Sequence, residues 1–442
     1  MIKRALILSL FFGVVLGATS IESGQSDRGY VESVSSFICP GKNGDVSGKI
    51  AFGRRGVQTG LIDKKNRPLK KSKERALAIQ SAARSVSGNA PTPIVLASQG
   101  RTWLGVTQCG SAAGEFWFVG GTADVSSMGF FQFTNENLGK AIIDIELWSE
   151  DGSESTRTLT IPPRSTKNYS LTTFMPGKKK TVFHIISRSG LVSATLFDER
   201  RKGLKSYGGD FVTPATFPAK NVRIAGIPTA KVGKKSKISS QKLRVFVPGE
   251  SDAIIQVNYI SPSGVFSPIG LDSLRIPAQK VVEVDLGNIP KNRLFAIDLR
   301  SSEPLVAGVL TRGKFSEVQE LSWSSSGLSI GGKSGEKDEV LALPELSGYL
   351  AIVSDSSSVS FTVVGQSGKP NKVRIPLDAM ANWKIPETAR EIIIAAGSPA
   401  MYLSVAFQSP AGLATTPLTP ALSKELTALP IFDSRLYIPR TQ

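Results

Sequence analysis

The sequence offers few side chains whose types and spacing could support catalysis. Its single histidine, His184, lies in the short apolar run 182–186, which is typical of a β-strand. Only two cysteines are present, Cys39 and Cys109. A structural zinc site takes about four histidine or cysteine ligands, so these residues cannot assemble one. We interpret His184 as a structural or solvent-facing strand residue, and we expect no catalytic residue, cofactor or metal ion.

Residues 327–334 (GLSIGGKS) match the letters of two catalytic motifs, the Gly-x-Ser-x-Gly elbow of hydrolases and the phosphate-binding P-loop. Both motifs need a buried strand before the turn and a helix after it, because the helix N-terminus frames the nucleophile or the phosphate. Here a run of serines precedes the motif and the polar residues 335–338 follow it. We therefore interpret the stretch as a loop between units.

An acidic turn and the tryptophans are the remaining candidates for ligand binding. Oxygen ligands on a loop can bind calcium, so a weak calcium site at Glu150, Asp151 and Glu154 is conceivable. The corresponding turns of the other repeats lack these carboxylates, which favours a solvated acidic turn. Tryptophans can stack on sugars, and Trp148 is predicted to point outward from its strand. The other tryptophans are interpreted as packing residues: Trp103, Trp117, Trp323 and Trp383.

A repeated pattern organises the chain that must position these residues. Residues 141–152 (AIIDIELWSEDG) and 253–264 (AIIQVNYISPSG) are identical at five of 12 positions. An Ile-Pro pair follows each segment, and a third copy has its own pair at 375–376. Units of roughly 100 residues with about seven short strands are typical of an immunoglobulin-like sandwich. We predict an all-β fold of tandem immunoglobulin-like β-sandwich units, with a β-propeller-like fold as the minor alternative.

The expected organisation has three complete units and a partial one before them. The partial unit contains a basic insertion at 54–92, in which residues 73–84 could form a short amphipathic helix; a mobile insertion is the alternative. The predicted divisions are a signal peptide at 1–20, a partial N-terminal β unit at 21–114, and β-sandwich units at 115–230, 231–345 and 346–442.

The N-terminus has the pattern of a secretory signal. Lys3 and Arg4 precede an uncharged run at 5–18, which is too short to span a bilayer comfortably. Small residues at 18–20 permit cleavage after Ser20. We therefore expect a secreted or cell-envelope protein, with a membrane anchor as the alternative if the signal is not cleaved.

The two cysteines are expected to pair, because an oxidising compartment favours a disulfide between Cys39 and Cys109. Such a bond would close a loop of about 70 residues and stabilise the fold by roughly 4 kcal/mol on the chain-entropy model. Two unpaired thiols remain the alternative.

The chain is strongly basic, with a net charge of +17. Outside the cell, this charge favours anionic envelope polymers or lipid headgroups and only weakly suggests nucleic acid, which we do not expect as a partner. Solubility and solvated loops are an equally compatible interpretation. Lysines cluster at 64–65, 70–73, 178–180 and 234–237. We predict that the side chains of the last two clusters contact an anionic polymer: Lys178, Lys179, Lys180, Lys234, Lys235 and Lys237.

The sequence resembles an exported actinobacterial family known only as a domain of unknown function. The resemblance depends on Cys39-Pro40, on the second cysteine before residues 115–121 (EFWFVGG), and on the repeated strand–turn–Ile-Pro–strand units. It covers roughly residues 37–432. The basic segment 54–92 is unusual for that family. The resemblance implies a location at the cell envelope or outside the cell, and it supplies no catalytic residue.

Three functional hypotheses follow from the sequence. The first is a non-enzymatic, exported protein that binds or scaffolds at the cell envelope, with an envelope polymer or protein as its partner. The second is an envelope glycan-active enzyme with a carboxylate site between units. The third is a structural stalk, which requires an uncleaved signal. The sequence does not give the oligomeric state.

Overall fold

The computed structural model describes residues 36–65, 67–232, 236–315, 318–332 and 337–420. These residues form β-strands and connecting turns, apart from one 3₁₀ helix at Leu171–Thr173. The predicted all-β fold is confirmed. All of the described residues belong to one compact region, 34–422. The predicted signal peptide lies outside the described residues, and no helix among them is long and apolar enough to cross a membrane.

The strands form four successive groups of eight, each with two antiparallel sheets, which in the third group share a long strand and form one eight-stranded sheet. We call these groups the N-terminal unit and units 1, 2 and 3. The strands of the N-terminal unit are β1 (Ser36–Cys39), β2 (Ser47–Ala51), β3 (Gln58–Leu61), β4 (Lys70–Lys71), β5 (Ala76–Ala78), β6 (Arg84–Ser87), β7 (Ile94–Ser98) and β8 (Leu104–Gln108). The strands of unit 1 are β9 (Glu115–Val119), β10 (Phe130–Asn135), β11 (Ala141–Ser149), β12 (Gly152–Ile161), β13 (Ser165–Ser170), β14 (Thr181–Ser189), β15 (Ser193–Lys202) and β16 (Lys205–Val212).

Units 2 and 3 complete the set. The strands of unit 2 are β17 (Ala219–Pro228), β18 (Lys237–Phe246), β19 (Ala253–Ser261), β20 (Gly264–Phe266), β21 (Leu274–Ile276), β22 (Val282–Asp285), β23 (Leu294–Phe315) and β24 (Val318–Ser325). The strands of unit 3 are β25 (Glu339–Ala342), β26 (Gly348–Val353), β27 (Ser358–Gly365), β28 (Pro370–Pro376), β29 (Met380–Ile385), β30 (Ala389–Ile394), β31 (Tyr402–Ser409) and β32 (Gly412–Leu418).

The strand order is the same in the N-terminal unit, unit 1 and unit 3. In unit 1 the two sheets have the orders β9-β14-β11-β12 and β13-β10-β15-β16, and the N-terminal unit and unit 3 repeat both orders at the corresponding positions. Unit 2 follows the same plan, but the long strand β23 pairs with β17 and β19 in one half and with β18 and β24 in the other. One strand of unit 2 therefore serves both of its sheets.

Alternating side chains explain why these segments form sandwiches. In β11, Ile143, Ile145 and Leu147 are buried, while Asp144 and Glu146 between them face the other side of the sheet. The buried residues of β11 share one core with Phe131 and other residues of the opposite sheet of unit 1. Unit 2 has a core of the same kind.

The N-terminal unit differs from its prediction. It has the full set of eight strands instead of part of a unit, because the basic segment 54–92 supplies β3, β4, β5 and β6. The possible helix at 73–84 is wrong: this segment contains the short strand β5 and the first residue of β6. Charged and small residues at an exposed edge hid the strand alternation in the sequence.

Strand pairing also places two unit boundaries earlier than expected. Strand β17 pairs with β23, so it joins unit 2 although it precedes residue 231. Likewise β25 pairs with β30, so it joins unit 3 although it precedes residue 346. In both cases an apolar strand lies at the end of the range predicted for one unit, whereas it is the first strand of the next unit.

The last strands of the four units lie against one another in a cycle. Strand β8 contacts β16, β16 contacts β24, β24 contacts β32, and β32 contacts β8. Apolar side chains pack between neighbouring units, as where the ring of Trp103 lies 4.8 Å from that of Phe197 and the ring of Trp148 lies 4.7 Å from that of Phe246. Each unit is a sandwich, and we call the four last strands that form this cycle the inner strands.

Candidate functional site

The predicted lysine cluster at 178–180 lies on a turn before β14, beside the acidic turn of β11 and β12. The Lys178 ammonium is 2.8 Å from a carboxylate oxygen of Asp151 and 2.9 Å from one of Glu154. These carboxylates raise the pKa of Lys178 above its usual value. The carboxylate of Glu150 accepts hydrogen bonds from the backbone N–H groups of Lys179 and Lys180. Three carboxylates therefore compensate much of the positive charge of this turn.

The same contacts account for the acidic turn that the sequence singled out. Glu150, Asp151 and Glu154 are engaged by the lysine turn, and Glu154 also accepts a hydrogen bond from Ser149 at 2.8 Å. Among the described residues, no group of three or more histidine, cysteine, aspartate or glutamate side chains is arranged to hold a metal ion.

The second predicted lysine cluster is only partly described. Lys237 begins β18 and is exposed, and it lies opposite Lys314 of β23. Lys234 and Lys235 lie outside the described residues. Just before them, Lys231 borders an open cleft of about 970 Å³ between units 2 and 3. Its other lining residues from unit 2 include Lys291 and Arg293.

Arg293 ties this cleft to the neighbouring unit. Its guanidinium donates a hydrogen bond to the carbonyl oxygen of Lys231 at 3.0 Å and lies 4.6 Å from the centre of the Tyr349 ring in unit 3. The arginine is therefore held by a backbone acceptor and an aromatic face, and Lys231 and Lys291 line the same cleft.

His184 is a packed residue that bridges two carboxylates. Its ring nitrogens lie 2.8 Å from carboxylate oxygens of Glu146 and Glu115. The imidazole stacks on the indole of Trp117, with 3.9 Å between ring centres. Its side chain is only 12% exposed. This arrangement links three neighbouring strands of one sheet, and it holds both glutamates on the imidazole.

Four of the five tryptophans are buried, and Trp383 is partly buried. All five pack against other residues. Trp148 points away from the core of unit 1, as predicted, but it faces unit 2. There its indole N–H donates to the side-chain oxygen of Gln279 at 2.7 Å. Trp103 and Trp323 are fully buried. Trp383 packs edge-to-face on Phe361.

The loop with the two catalytic motifs does not have the required setting in its described part. Ile330 is buried and forms an isolated β-bridge with Met401 of unit 3. Residues 333–336 lie outside the described residues. The next described residues lead into strand β25 instead of a helix, so the interpretation as a connecting loop agrees with the structure.

A buried carboxylate, Glu320 of β24, joins three units at the cycle of inner strands. It accepts hydrogen bonds from the backbone N–H groups of Leu104 at 2.9 Å, Gly209 at 3.0 Å and Leu321 at 3.0 Å. A Cβ on Gly208, where φ is +101°, would lie 2.4 Å from a carboxylate oxygen of Glu320, so glycine is required there. Burial raises the pKa of Glu320 well above its usual value, and the N–H donors oppose this shift.

A second buried carboxylate, Asp210 of β16, lies beside it. It accepts hydrogen bonds from the Ser322 hydroxyl and the Trp323 N–H, both at 3.0 Å, and from the Phe211 N–H at 2.9 Å. Burial raises the pKa of Asp210 as well, against the pull of these donors. The two carboxylates thus serve as acceptors for backbone groups at the junction of the units.

Arg244 provides a third buried polar link. Its guanidinium donates to the carbonyl oxygens of Gly121 at 2.7 Å and Thr181 at 3.1 Å in unit 1, and it lies 2.7 Å from a carboxylate oxygen of Glu283. It also lies 4.9 Å from the centre of the Trp323 ring. None of these three buried residues was singled out from the sequence as functional. In the sequence, Asp210 and Glu320 share one feature: each stands directly before an apolar residue.

The predicted disulfide is present and fastens the N-terminal unit. Cys39 ends β1, and Cys109 follows β8, with the two Cα atoms 4.5 Å apart. The bond joins the first strand of this unit to the segment that leaves its last strand.

Comparisons with known proteins identify a family but no activity. Two solved structures have weak similarity to this chain. The first is a tetra-tandem repeat in the extending region of a large adhesion protein, with 10% identity over 84% of this chain and 90% of that one and a TM-score of 0.12. The second concerns host cell surface retention of a 1.5-MDa bacterial ice-binding adhesin, with 9% identity over 70% of this chain and 98% of that one and a TM-score of 0.11. Scores this low do not establish a common fold. No curated protein matches. The model of DUF5719, a family of unknown function, matches residues 70–380, and the chain therefore belongs to this family.

Proposed function

We propose that this protein is exported and acts at the cell envelope by binding anionic polymers through its basic surface, without catalysing a reaction. The observation that carries the proposal is the charge: the chain has a net charge of +17, and its lysines are concentrated on exposed turns, edge strands and the rim of a cleft. A positive field of this kind attracts polyanions from solution.

The disulfide supports the proposed location. Bonds of this kind persist in oxidising compartments and are rare in the cytosol, and Cys39 and Cys109 are bonded here. The signal-like residues 1–20 give the same indication from the sequence.

The packing between units supports a scaffolding role. Four sandwich units are connected through apolar interfaces and through the buried side chains of Glu320 and Arg244. Packed interfaces and satisfied buried polar groups resist local opening. Such a framework can present lysines from several units to one extended polymer.

The predicted contact lysines contribute unequally to this proposal. Lys178, Lys179 and Lys180 lie beside three carboxylates, so we expect this turn to contribute little net attraction. Lys237 is exposed and close to the end of a basic segment. Together with Lys234 and Lys235 it remains a proposed contact.

Co-sedimentation of the mature chain, residues 21–442, with isolated cell envelopes at low and high salt tests the proposal. Binding at low salt that is lost at high salt is the expected result, because salt screens contacts between exposed charges. Binding that resists salt would point to a specific protein partner instead. Absence of binding at both salt concentrations would refute envelope binding. Release of soluble fragments from envelope glycans by the purified protein would refute the proposal that it catalyses no reaction.

A further inference from the structure

The basic segment of the N-terminal unit forms a pocket of its own. A cavity of about 330 Å³ is lined by residues of β3, β4, β5 and β6 and of the turns between them. Its cationic lining residues outnumber its single acidic one, Glu74. The cationic residues are Arg67, Lys70, Lys71, Lys73 and Arg84.

The pocket lies between the edges of the two sheets. Strand β4, which carries Lys70 and Lys71, is the edge of one sheet, and β5 is the edge of the other. The short connection between these strands is anchored at Ser72, whose N–H donates to the Val57 carbonyl oxygen and whose carbonyl oxygen accepts from the Gly56 N–H, both at 2.8 Å. The flanking lysines are therefore presented from a fixed backbone.

The positive charge of this pocket is largely uncompensated. Arg67 pairs with Asp63 at 3.4 Å. Within the described part of the chain, Lys70, Lys71, Lys73 and Arg84 form no ion pair with a carboxylate. The lysine turn of unit 1 is the opposite case, because carboxylates surround it.

Arg84 is the most constrained of these cations. Its side chain is partly buried, and burial lowers its pKa. Within the described residues, its only side-chain hydrogen bond is a long one of 3.5 Å to the Thr59 hydroxyl. A guanidinium that has lost solvent without gaining a carboxylate would gain most from an anionic ligand. Its planar fork matches two oxygens of a phosphate group, and neighbouring lysines add point charges that phosphate also accepts.

From this geometry we propose that the pocket binds phosphate groups carried on an anionic polymer, an inference that rests on the proposed function and names its site and ligand class. Arg84 holds one phosphate at the inner end, and Lys70, Lys71 and Lys73 hold the neighbouring charges. Leu77 and Pro68, which also line the cavity, offer apolar contact to the organic part of the polymer.

The test compares three forms of the full mature chain, and a further variant, Arg84→Lys, tests the guanidinium. The first is the natural sequence. The second carries Lys70→Gln, Lys71→Gln and Lys73→Gln, all at exposed positions. The third is a control with the same loss of charge, made by replacing with Gln three exposed lysines that lie on unit 1, unit 2 and unit 3 and form no ion pair within the described chain: Lys140, Lys220 and Lys372.

Each protein is titrated with inorganic polyphosphate and with polyglutamate of matched charge. We expect the pocket variant to bind polyphosphate roughly 100-fold more weakly than the natural protein does, because each lysine near a charged surface contributes about fivefold to the affinity. The affinity of the control for polyphosphate should fall by a smaller factor. The natural protein should prefer polyphosphate to polyglutamate. Replacement Arg84→Lys should reduce this preference, because it keeps the charge and removes the fork.

The outcomes separate the site from the function. Equal weakening in the pocket variant and the control would refute the site while leaving envelope binding intact. Equal binding of polyphosphate and polyglutamate by the natural protein would refute the phosphate class. If the natural protein binds neither polymer, both the inference and the proposed attraction to anionic polymers are wrong.

Discussion

The replacement Glu320→Ala tests whether the buried carboxylate at the junction of three units holds them together. It would leave three buried N–H groups, those of Leu104, Gly209 and Leu321, without their acceptor. Each unsatisfied donor costs about 1–3 kcal/mol. Removing the carboxyl group also removes the cost of burying it, which offsets part of this loss. We expect the free energy of unfolding to fall by about 3 kcal/mol or more.

Two further variants make the result specific. Glu320→Gln keeps an oxygen for some of the N–H groups, so its loss should be intermediate. Glu250→Ala, at an exposed carboxylate, should change stability little. Urea unfolding followed by tryptophan fluorescence gives the midpoints, because Trp323 is buried next to this junction. If Glu320→Ala shifts the midpoint no more than Glu250→Ala does, the carboxylate does not hold the units together.

Three other perturbations test the same framework. Burial raises the pKa of Asp210 and Glu320, so above about pH 4 the folded state binds more protons than the unfolded state does. The free energy of unfolding should therefore fall as the pH rises through the folded pKa values, by about 1.4 kcal/mol per pH unit for each carboxyl group. Unfolding curves at a series of pH values that show rising stability would contradict this. Replacing Cys39 and Cys109 by serine should cost roughly 4 kcal/mol on the chain-entropy model, and the variant should unfold at the same urea concentration with or without reductant. Arg244→Ala should lower the free energy of unfolding by about 3–5 kcal/mol, because it leaves the buried Glu283 carboxylate without its partner. A urea midpoint within error of the natural protein's would show that the contacts of Arg244 do not stabilise the fold.

The sequence was sufficient to predict the strand-rich fold and the repeats, because both depend on local patterns. Alternation in residues 141–147 and the recurring Ile-Pro pairs mark strands and turns directly. The N-terminal unit was harder to predict, because β4 and β5 are only two and three residues long at exposed edges. Such strands depend on pairing with neighbours that are distant in sequence, which periodicity does not reveal.

The buried polar junction was beyond sequence reasoning for a different reason. In the sequence, Glu320 and Asp210 look like solvated turn residues, because acidic side chains are almost never fully buried unless they are paired. Most of their partners are backbone N–H groups, several of them from other units, and such groups carry no side-chain signature. The positive charge of the basic clusters could be predicted from the sequence. Whether that charge is compensated, as at Lys178, or left without a carboxylate partner, as at Lys70, depends on which carboxylates the fold brings close.

Hydrogen–deuterium exchange of the mature chain, with and without isolated envelope polymer at low salt, tests the central claim most directly. The account predicts slower exchange in peptides covering the basic pocket at residues 67–84, and unchanged exchange around the packed interface of Trp117 and His184. Protection confined to that aromatic interface, or no protection anywhere in the presence of polymer, would contradict binding through the basic surface.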